Sequence, residues 1–85
     1  MEQFIVKVKA EAGLHARPAS QLVKKATEFS SSVQIEKEDK TVDAKRLLSI
    51  MMLNIKQGES IKVLVQGEDE KIAAAAIKDM IEALE

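Results

Sequence analysis

A single histidine lies in a stretch of residues whose types suit phosphate chemistry. His15 stands in the segment Gly13-Leu14-His15-Ala16-Arg17-Pro18-Ala19-Ser20. Proline is favoured in the first turn of a helix, where its missing N–H leaves no hydrogen bond unmade, so we expect His15 to lie just before a helix start. The free N–H groups of a first turn and the positive end of the helix dipole favour an anion, and Arg17 adds a cationic donor.

An imidazole in this position can act as a nucleophile. Near neutral pH a useful fraction of histidine side chains is uncharged, and an uncharged ring nitrogen can accept a phosphoryl group whose charge the nearby donors stabilise. The alternative is an ordinary exposed histidine beside a glycine turn, which is the commoner situation for a lone histidine. Glycine, histidine, arginine and proline all fall within positions 13–18, and this combination favours the nucleophile.

The composition excludes several other classes of function. The 85 residues carry 13 Lys and Arg against 14 Asp and Glu, a net charge of -1 that offers no excess of cations to nucleic acid. The absence of cysteine excludes disulfides, thiolate zinc sites and cysteine nucleophiles, and a single histidine excludes metal sites that need two imidazoles. We expect one domain over residues 1–85, without a metal, a cofactor or membrane insertion, in the cytoplasm.

The hydrophobic pattern predicts seven secondary-structure elements in the order βαββαβα. They are a strand over 4–9, a helix over 18–29, two hairpin strands on either side of 38–40, a short helix within 45–55 that ends near Leu53, a strand over 61–66 and a helix from Asp69 to Leu84. This order is typical of the α+β class, here a two-layer sandwich of one four-stranded sheet and one helical layer. The strand order stays open between a ferredoxin-like arrangement and other split arrangements.

The final helix carries two further expectations. Asp69 is of a type that caps helix N-termini, and Glu70 is favourable at the positive end of the helix. The apolar residues that repeat at helical spacing along it are Ile72, Ala73, Ala76, Ile77, Met80, Ile81 and Leu84.

The short helix is apolar on nearly every side. A helix that buries one stripe would account for only about half of its apolar residues, so on a small domain some of them must face water. We take four as candidates for an exposed docking surface, Leu47, Leu48, Met51 and Met52. Methionine suits surfaces that receive more than one partner. The alternative is a helix buried on every side.

The string Gly-Leu-His-Ala-Arg-Pro-Ala in residues 13–19 resembles the active-site signature of the HPr family, the histidine-containing phosphocarriers of the bacterial phosphoenolpyruvate-dependent sugar phosphotransferase system. The resemblance extends over the whole chain, because the length, the element order, the segment 45–55 and the closing helix all fall where that family has them. It implies an open-faced β-sandwich, with a four-stranded antiparallel sheet and three helices on one face.

The resemblance also implies residue roles. His15 would accept a phosphoryl group on Nδ1 from phosphorylated enzyme I and pass it to the A component of a sugar permease complex. Arg17 would steady the phosphoryl group, and the backbone N–H groups of Ala16 and Arg17 would receive it. The apolar surface of the short helix would be shared by enzyme I and the acceptors, with Arg17 and Lys24 as a basic rim. Alternatively, Lys24 is an ordinary lysine on the solvated face of its helix.

Two residues depart from the family pattern, and one of them, Ala12, replaces a hydroxyl residue that some relatives carry before the signature glycine. Arg46 stands where many members carry a serine that a dedicated kinase phosphorylates, and Ser49 is the next hydroxyl along the chain. We therefore expect no regulation through a serine at this position. A cation near a helix start opposes the helix dipole, so we expect Arg46 to have a carboxylate partner.

Three hypotheses of function follow. The first is a cytoplasmic, monomeric phosphocarrier, a phosphoryl-transfer intermediate more than a turnover enzyme, whose partners are enzyme I and sugar-specific A components. The second is a regulatory paralogue with the same fold, which binds a transcriptional regulator or an enzyme without relaying phosphate to sugar. His15 and Arg17 favour the first hypothesis, and Arg46 favours the second. The third, a small ligand-binding module of ferredoxin-like order, would make the histidine segment a coincidence.

Overall fold

The computed structural model of the protein describes residues 1–84, which form four strands and three helices in the predicted order. The elements are β1 (Glu2–Lys7), α1 (Ala16–Thr27), β2 (Ser32–Lys37), β3 (Lys40–Asp43), α2 (Leu47–Met52), β4 (Ser60–Gln66) and α3 (Glu70–Ala83). The predicted boundaries differ from these by up to two residues, and both β1 and α1 begin and end two residues earlier than expected. None of the three helices within this described part has the length and hydropathy that a membrane span requires.

The strand order in the sheet is β1-β4-β2-β3, and every neighbouring pair is antiparallel. β4 pairs with β1 from Glu2 opposite Val65 to Lys7 opposite Ser60, and its other edge pairs with β2. A ferredoxin-like sheet has its first and third strands at the centre, whereas β4 and β2 are central here. The open question of strand order is therefore decided against the ferredoxin-like arrangement, and the predicted α+β sandwich is confirmed.

The core lies between one face of the sheet and the helices. Val6, Ile35 and Val63 project from β1, β2 and β4 into this layer and are buried, as the alternation of side chains along a strand requires. The helices cover them with side chains that include Leu22 and Ile77. The opposite face of the sheet carries exposed and half-buried residues, and the three helices lie on one face, as predicted.

The apolar residues that repeat along α3 are not all buried. Ile72 is 69% exposed, whereas Ala73, Ile77 and Ile81 are fully buried. At 3.6 residues per turn, Ile72 lies about 140° around the helix from Ile77, which places it on the solvent side. The apolar character of Ile72 therefore did not indicate burial.

Asp69 is the N-cap residue of α3, but its side chain does not cap the helix. Its carboxylate instead accepts hydrogen bonds from the N–H groups of Ser30 at 3.0 Å and Ser31 at 2.9 Å, and from the Ser31 hydroxyl. These bonds hold the start of α3 against the segment that leads into β2. The Glu70 carboxylate accepts from the N–H of Gly67 at 3.1 Å, so a neighbouring side chain supports this helix start.

Candidate functional site

His15 is the N-cap residue of α1. Its backbone is extended, with φ of -111° and ψ of 174°, and its carbonyl oxygen accepts the N–H of Ala19 at 3.0 Å. The side chain makes no capping hydrogen bond and is exposed. The backbone of His15 therefore begins the helix, while its imidazole remains accessible to a reaction partner.

The first turn of α1 offers two backbone N–H groups to an anion. Pro18 has no N–H, and the N–H of Ala19 is bonded to His15, so the groups left over are those of Ala16 and Arg17. This turn contains no acidic side chain that would compete for them, and the Arg17 side chain is exposed. The arrangement can stabilise a dianionic group beside the imidazole through two N–H donors, the helix dipole and a guanidinium.

The turn that leads to His15 rests on the connection between α2 and β4. Gly13 donates its N–H to the Ala10 carbonyl oxygen at 2.8 Å, and Leu14 donates to the Ile55 carbonyl oxygen at 3.0 Å. The Leu14 side chain is buried, whereas the next residue is exposed. The Leu14 side chain therefore enters the core, whereas the imidazole of His15 stays in solvent.

The four apolar residues proposed for docking lie on one side of α2, where they differ in exposure. Leu48 is 75% exposed and Met52 is 78% exposed. Leu47 and Met51 are half-buried and pack against the core. The alternative of a helix buried on every side is therefore wrong. We call these four residues the apolar patch; α2, which carries it, contacts α1.

Three polar residues near the apolar patch carry expectations from the sequence. Arg46 is the exposed N-cap residue of α2, and residues 1–84 place no carboxylate within ion-pair distance of it, so the expected carboxylate partner is not found in this part of the chain. Lys24 is exposed in the last turn of α1, which is compatible both with a basic rim and with an ordinary solvated lysine. Ser49 is half-buried in α2 and lines a groove between α2 and β3.

The sequence analysis did not identify the residues of the α2–β4 connection that hold the segment before His15 in place. The carbonyl oxygen of Ile55 holds Leu14, and the side chains of Lys37 and Glu59 meet around the same connection. A lysine at a strand end and a glutamate in a loop carry no signal of such a role in one sequence. The short helix ends near Leu53 as predicted, and Asn54 after it is left-handed, with a φ of 52°.

Comparison with known proteins identifies the family. The family model described as "PTS HPr component phosphorylation site" matches residues 2–83. The chain belongs to the HPr family of phosphocarrier proteins. It is 43% identical to the phosphocarrier protein HPr of Borreliella burgdorferi over 76 residues, which are 89% of this chain and 88% of that one.

Two further proteins are similar to this chain over most of its length. The HPr-like protein Crh of Halalkalibacterium halodurans is 42% identical over 77 residues, 91% of this chain and 92% of that protein. Among solved structures, HPr-C-His of Thermoanaerobacter tengcongensis superposes with a TM-score of 0.95 at 41% identity, covering 98% of this chain and 93% of that one. Similarity of sequence and of fold thus extends over nearly the whole chain.

Proposed function

We propose that this chain relays phosphoryl groups in the phosphotransferase system, accepting them on His15 from phosphorylated enzyme I and passing them to the A component of a sugar permease complex. The observation that carries the proposal is the exposed imidazole of His15 at the start of α1, beside two unengaged N–H groups and Arg17. In this role the chain is a cytoplasmic monomer of one domain.

The transfer is a displacement at phosphorus. Nδ1 of neutral His15 forms the new P–N bond while the bond to the donor breaks, and the donor group leaves with its electron pair. Negative charge is then spread over the three equatorial phosphoryl oxygens, where catalysis depends on positioning and electrostatic stabilisation. The N–H groups of Ala16 and Arg17 and the Arg17 guanidinium stabilise that charge. In the second step, the nucleophile of the acceptor displaces Nδ1 in the same way.

Both partners use the same surface of the chain in this scheme. Each must bring its reacting group to His15, so donor and acceptor bind in turn to the residues around α1 and α2. The apolar patch supplies the contact area, with Leu48 and Met52 offering the most exposed side chains. Arg17 and Lys24 form a basic rim that attracts partners with acidic surfaces and raises the rate of encounter.

Incubation with enzyme I and phosphoenolpyruvate, followed by intact-mass measurement, tests the proposal. We expect one phosphoryl group per chain, lost in mild acid and kept in base, because a phosphoramidate leaves readily once its nitrogen is protonated. His15→Ala should abolish the label and leave the thermal unfolding curve unchanged, since the side chain is exposed and caps nothing. A label that survives in His15→Ala would contradict the assignment.

A second candidate function is that of a regulatory paralogue that binds a transcriptional regulator or an enzyme without relaying phosphate. Arg46 at the start of α2 favours it, because this residue departs from the serine that many HPr phosphocarriers have at that position. Mixing the phosphorylated chain with a panel of purified A components separates the two functions. Transfer to any A component supports the phosphocarrier, whereas a phosphorylated chain that transfers to none supports the paralogue.

A further inference from the structure

We propose that Lys37 is a positioning residue for phosphoryl transfer, because it fixes the connection between α2 and β4 on which both the apolar patch and the His15 turn depend. The effect on transfer rests on the proposed phosphocarrier function. The structural part of the proposal rests on the contacts of Lys37 alone.

Lys37 reaches three acceptors from the end of β2. Its Nζ donates to the carbonyl oxygens of Leu53 at 3.3 Å and Asn54 at 2.9 Å, and lies 3.0 Å from Oε1 of Glu59. The Lys37 side chain is 15% exposed, which is low for a lysine. An ammonium group has three protons to donate, and each has an acceptor here.

The two carbonyl groups lie just beyond the last turn of α2, the helix that carries the apolar patch, on its C-cap residue Leu53 and on Asn54 after it. Carbonyl groups after the last turn of a helix have no partner within the helix and favour a nearby cation. The last turn of α2 contains no basic residue of its own. Lys37, which lies on β2, therefore provides the cation for these carbonyl groups that α2 itself lacks.

Glu59 holds Lys37 in place. Its Oε1 also accepts the N–H of Lys56 at 2.6 Å, so one oxygen joins the lysine to the backbone of the connection. The Lys56 N–H, and after it the Lys37 ammonium, keep the pKa of the Glu59 carboxyl below its ordinary value. The charged carboxylate anchors Lys37 through their contact at 3.0 Å.

The other side of this connection supports the His15 turn. Ile55, which follows the carbonyl groups bound by Lys37, accepts the N–H of Leu14 at 3.0 Å. The chain entering that turn is held as well, because Gly58 donates to the Val8 carbonyl oxygen at 2.7 Å and Val8 donates to the Glu59 carbonyl oxygen at 2.9 Å. The segment 53–59 therefore joins Lys37 on one side to the residue before His15 on the other.

Lys37→Met and Lys37→Arg form the test pair, with Lys62→Met as the control. Methionine keeps much of the length and removes the donors, whereas arginine keeps a cation that can bind carbonyl and carboxylate oxygens. Lys62 is half-buried on β4, and its side chain has no hydrogen bond or ion pair with any other residue that the structure describes. If Lys37→Met does not fold, Glu59→Gln removes the ion pair and keeps an acceptor for Lys56.

Amide hydrogen exchange at Leu14, compared with Val63 in the central strand β4, is the structural measurement. In Lys37→Met we expect exchange at Leu14 to rise by about tenfold more than at Val63, because the opening is local. Lys37→Arg should restore most of the protection, Glu59→Gln should show a smaller rise in the same direction, and Lys62→Met should show none. Equal changes at Leu14 and Val63 in Lys37→Met would overturn the proposal, since Lys37 would then only add to global stability.

Steady-state phosphorylation by enzyme I is the functional measurement. Lys37→Met should raise KM for the chain, because the patch is displaced, and lower kcat, because His15 is held less firmly. Unchanged KM and kcat alongside faster Leu14 exchange would overturn the positioning role. A wild-type chain that enzyme I does not phosphorylate would instead contradict the proposed function, and the exchange comparison would still decide the structural part.

Discussion

The backbone of Gly13 lies directly against that of Ile55. A β-carbon added to Gly13 would collide with the Ile55 carbonyl oxygen, the same atom that accepts the Leu14 N–H. Gly13 also has a φ of 70°, in the left-handed region that side chains disfavour. Glycine is thus required here both for its conformation and for the close approach that fastens the His15 turn to the α2–β4 connection.

Gly13→Ala should lower the free energy of unfolding and slow phosphorylation. The left-handed conformation alone costs about 1–2 kcal/mol for an alanine, and the collision with Ile55 adds to this and displaces Leu14. Urea unfolding and the rate of labelling by enzyme I measure the two effects. Gly58→Ala is the matched control, because Gly58 has a φ of 89° but nothing lies within 4 Å of the point that a β-carbon would occupy there. Equal loss of labelling in both variants would show that the contact with Ile55 is unimportant.

Arg17→Ala should slow phosphoryl transfer with little change in stability. The guanidinium is exposed and supports charge that develops on the phosphoryl oxygens, so we expect a loss of about tenfold in kcat/KM. Phosphorylation by enzyme I, quenched at successive times, gives the rate of phosphoryl transfer. Lys24→Ala, at the other end of α1, should mainly raise KM in a salt-dependent way. Unchanged transfer by Arg17→Ala would remove Arg17 from the site.

Leu48→Glu should weaken binding to enzyme I and leave the melting temperature nearly unchanged. Leu48 is largely exposed, so its replacement disturbs a partner contact without opening the core. Ile50→Ala, on the buried side of the same helix, should instead cost about 2–5 kcal/mol of stability. Thermal unfolding and calorimetric titration with enzyme I measure both. A large loss of stability in Leu48→Glu would place Leu48 in the core.

Asp69→Asn should reduce stability near neutral pH, and the difference from wild type should shrink in acid. The Ser31 hydroxyl, followed by the Ser30 N–H, lowers the pKa of the Asp69 carboxyl. A lowered pKa contributes stability that is complete above the ordinary pKa and is lost as the pH falls through the folded-state value.

Melting temperatures between about pH 7 and about pH 2 measure this dependence. Asp79→Asn is the control, because Asp79 is exposed on α3 and has no ion pair within residues 1–84. A stability difference between Asp69→Asn and wild type that stays constant over this range would contradict the role of the carboxylate.

Incubation with HPr kinase and ATP should leave the wild-type chain unmodified. Arg46 has no hydroxyl, and Ser49 is half-buried within a turn of α2. Arg46→Ser places a hydroxyl at the exposed N-cap of α2 and should gain one phosphoryl group by intact mass. Peptide mapping that finds efficient phosphorylation of Ser49 in the wild-type chain would contradict this prediction and favour the regulatory paralogue.

The sequence alone determined the features that depend on neighbouring residues. The alternation in β1 and β4, the helical spacing in α1 and the segment around His15 are local patterns, because side-chain direction follows from the backbone conformation of a few residues. The exposure of part of the short helix could also be expected, since an 85-residue chain has too little interior to cover α2 on every side.

The tertiary structure alone decided the features that join distant parts of the chain. The sequence predicts that Asp69 caps α3, yet its side chain binds Ser31, which is 38 residues away. Lys37 meets Asn54, 17 residues along the chain, and only the packing of β2 beside the end of α2 brings them together. Strand order and the contact of Gly13 with Ile55 belong to the same group. Each depends on which surfaces meet when the sheet and helices pack, and local sequence patterns do not specify that choice.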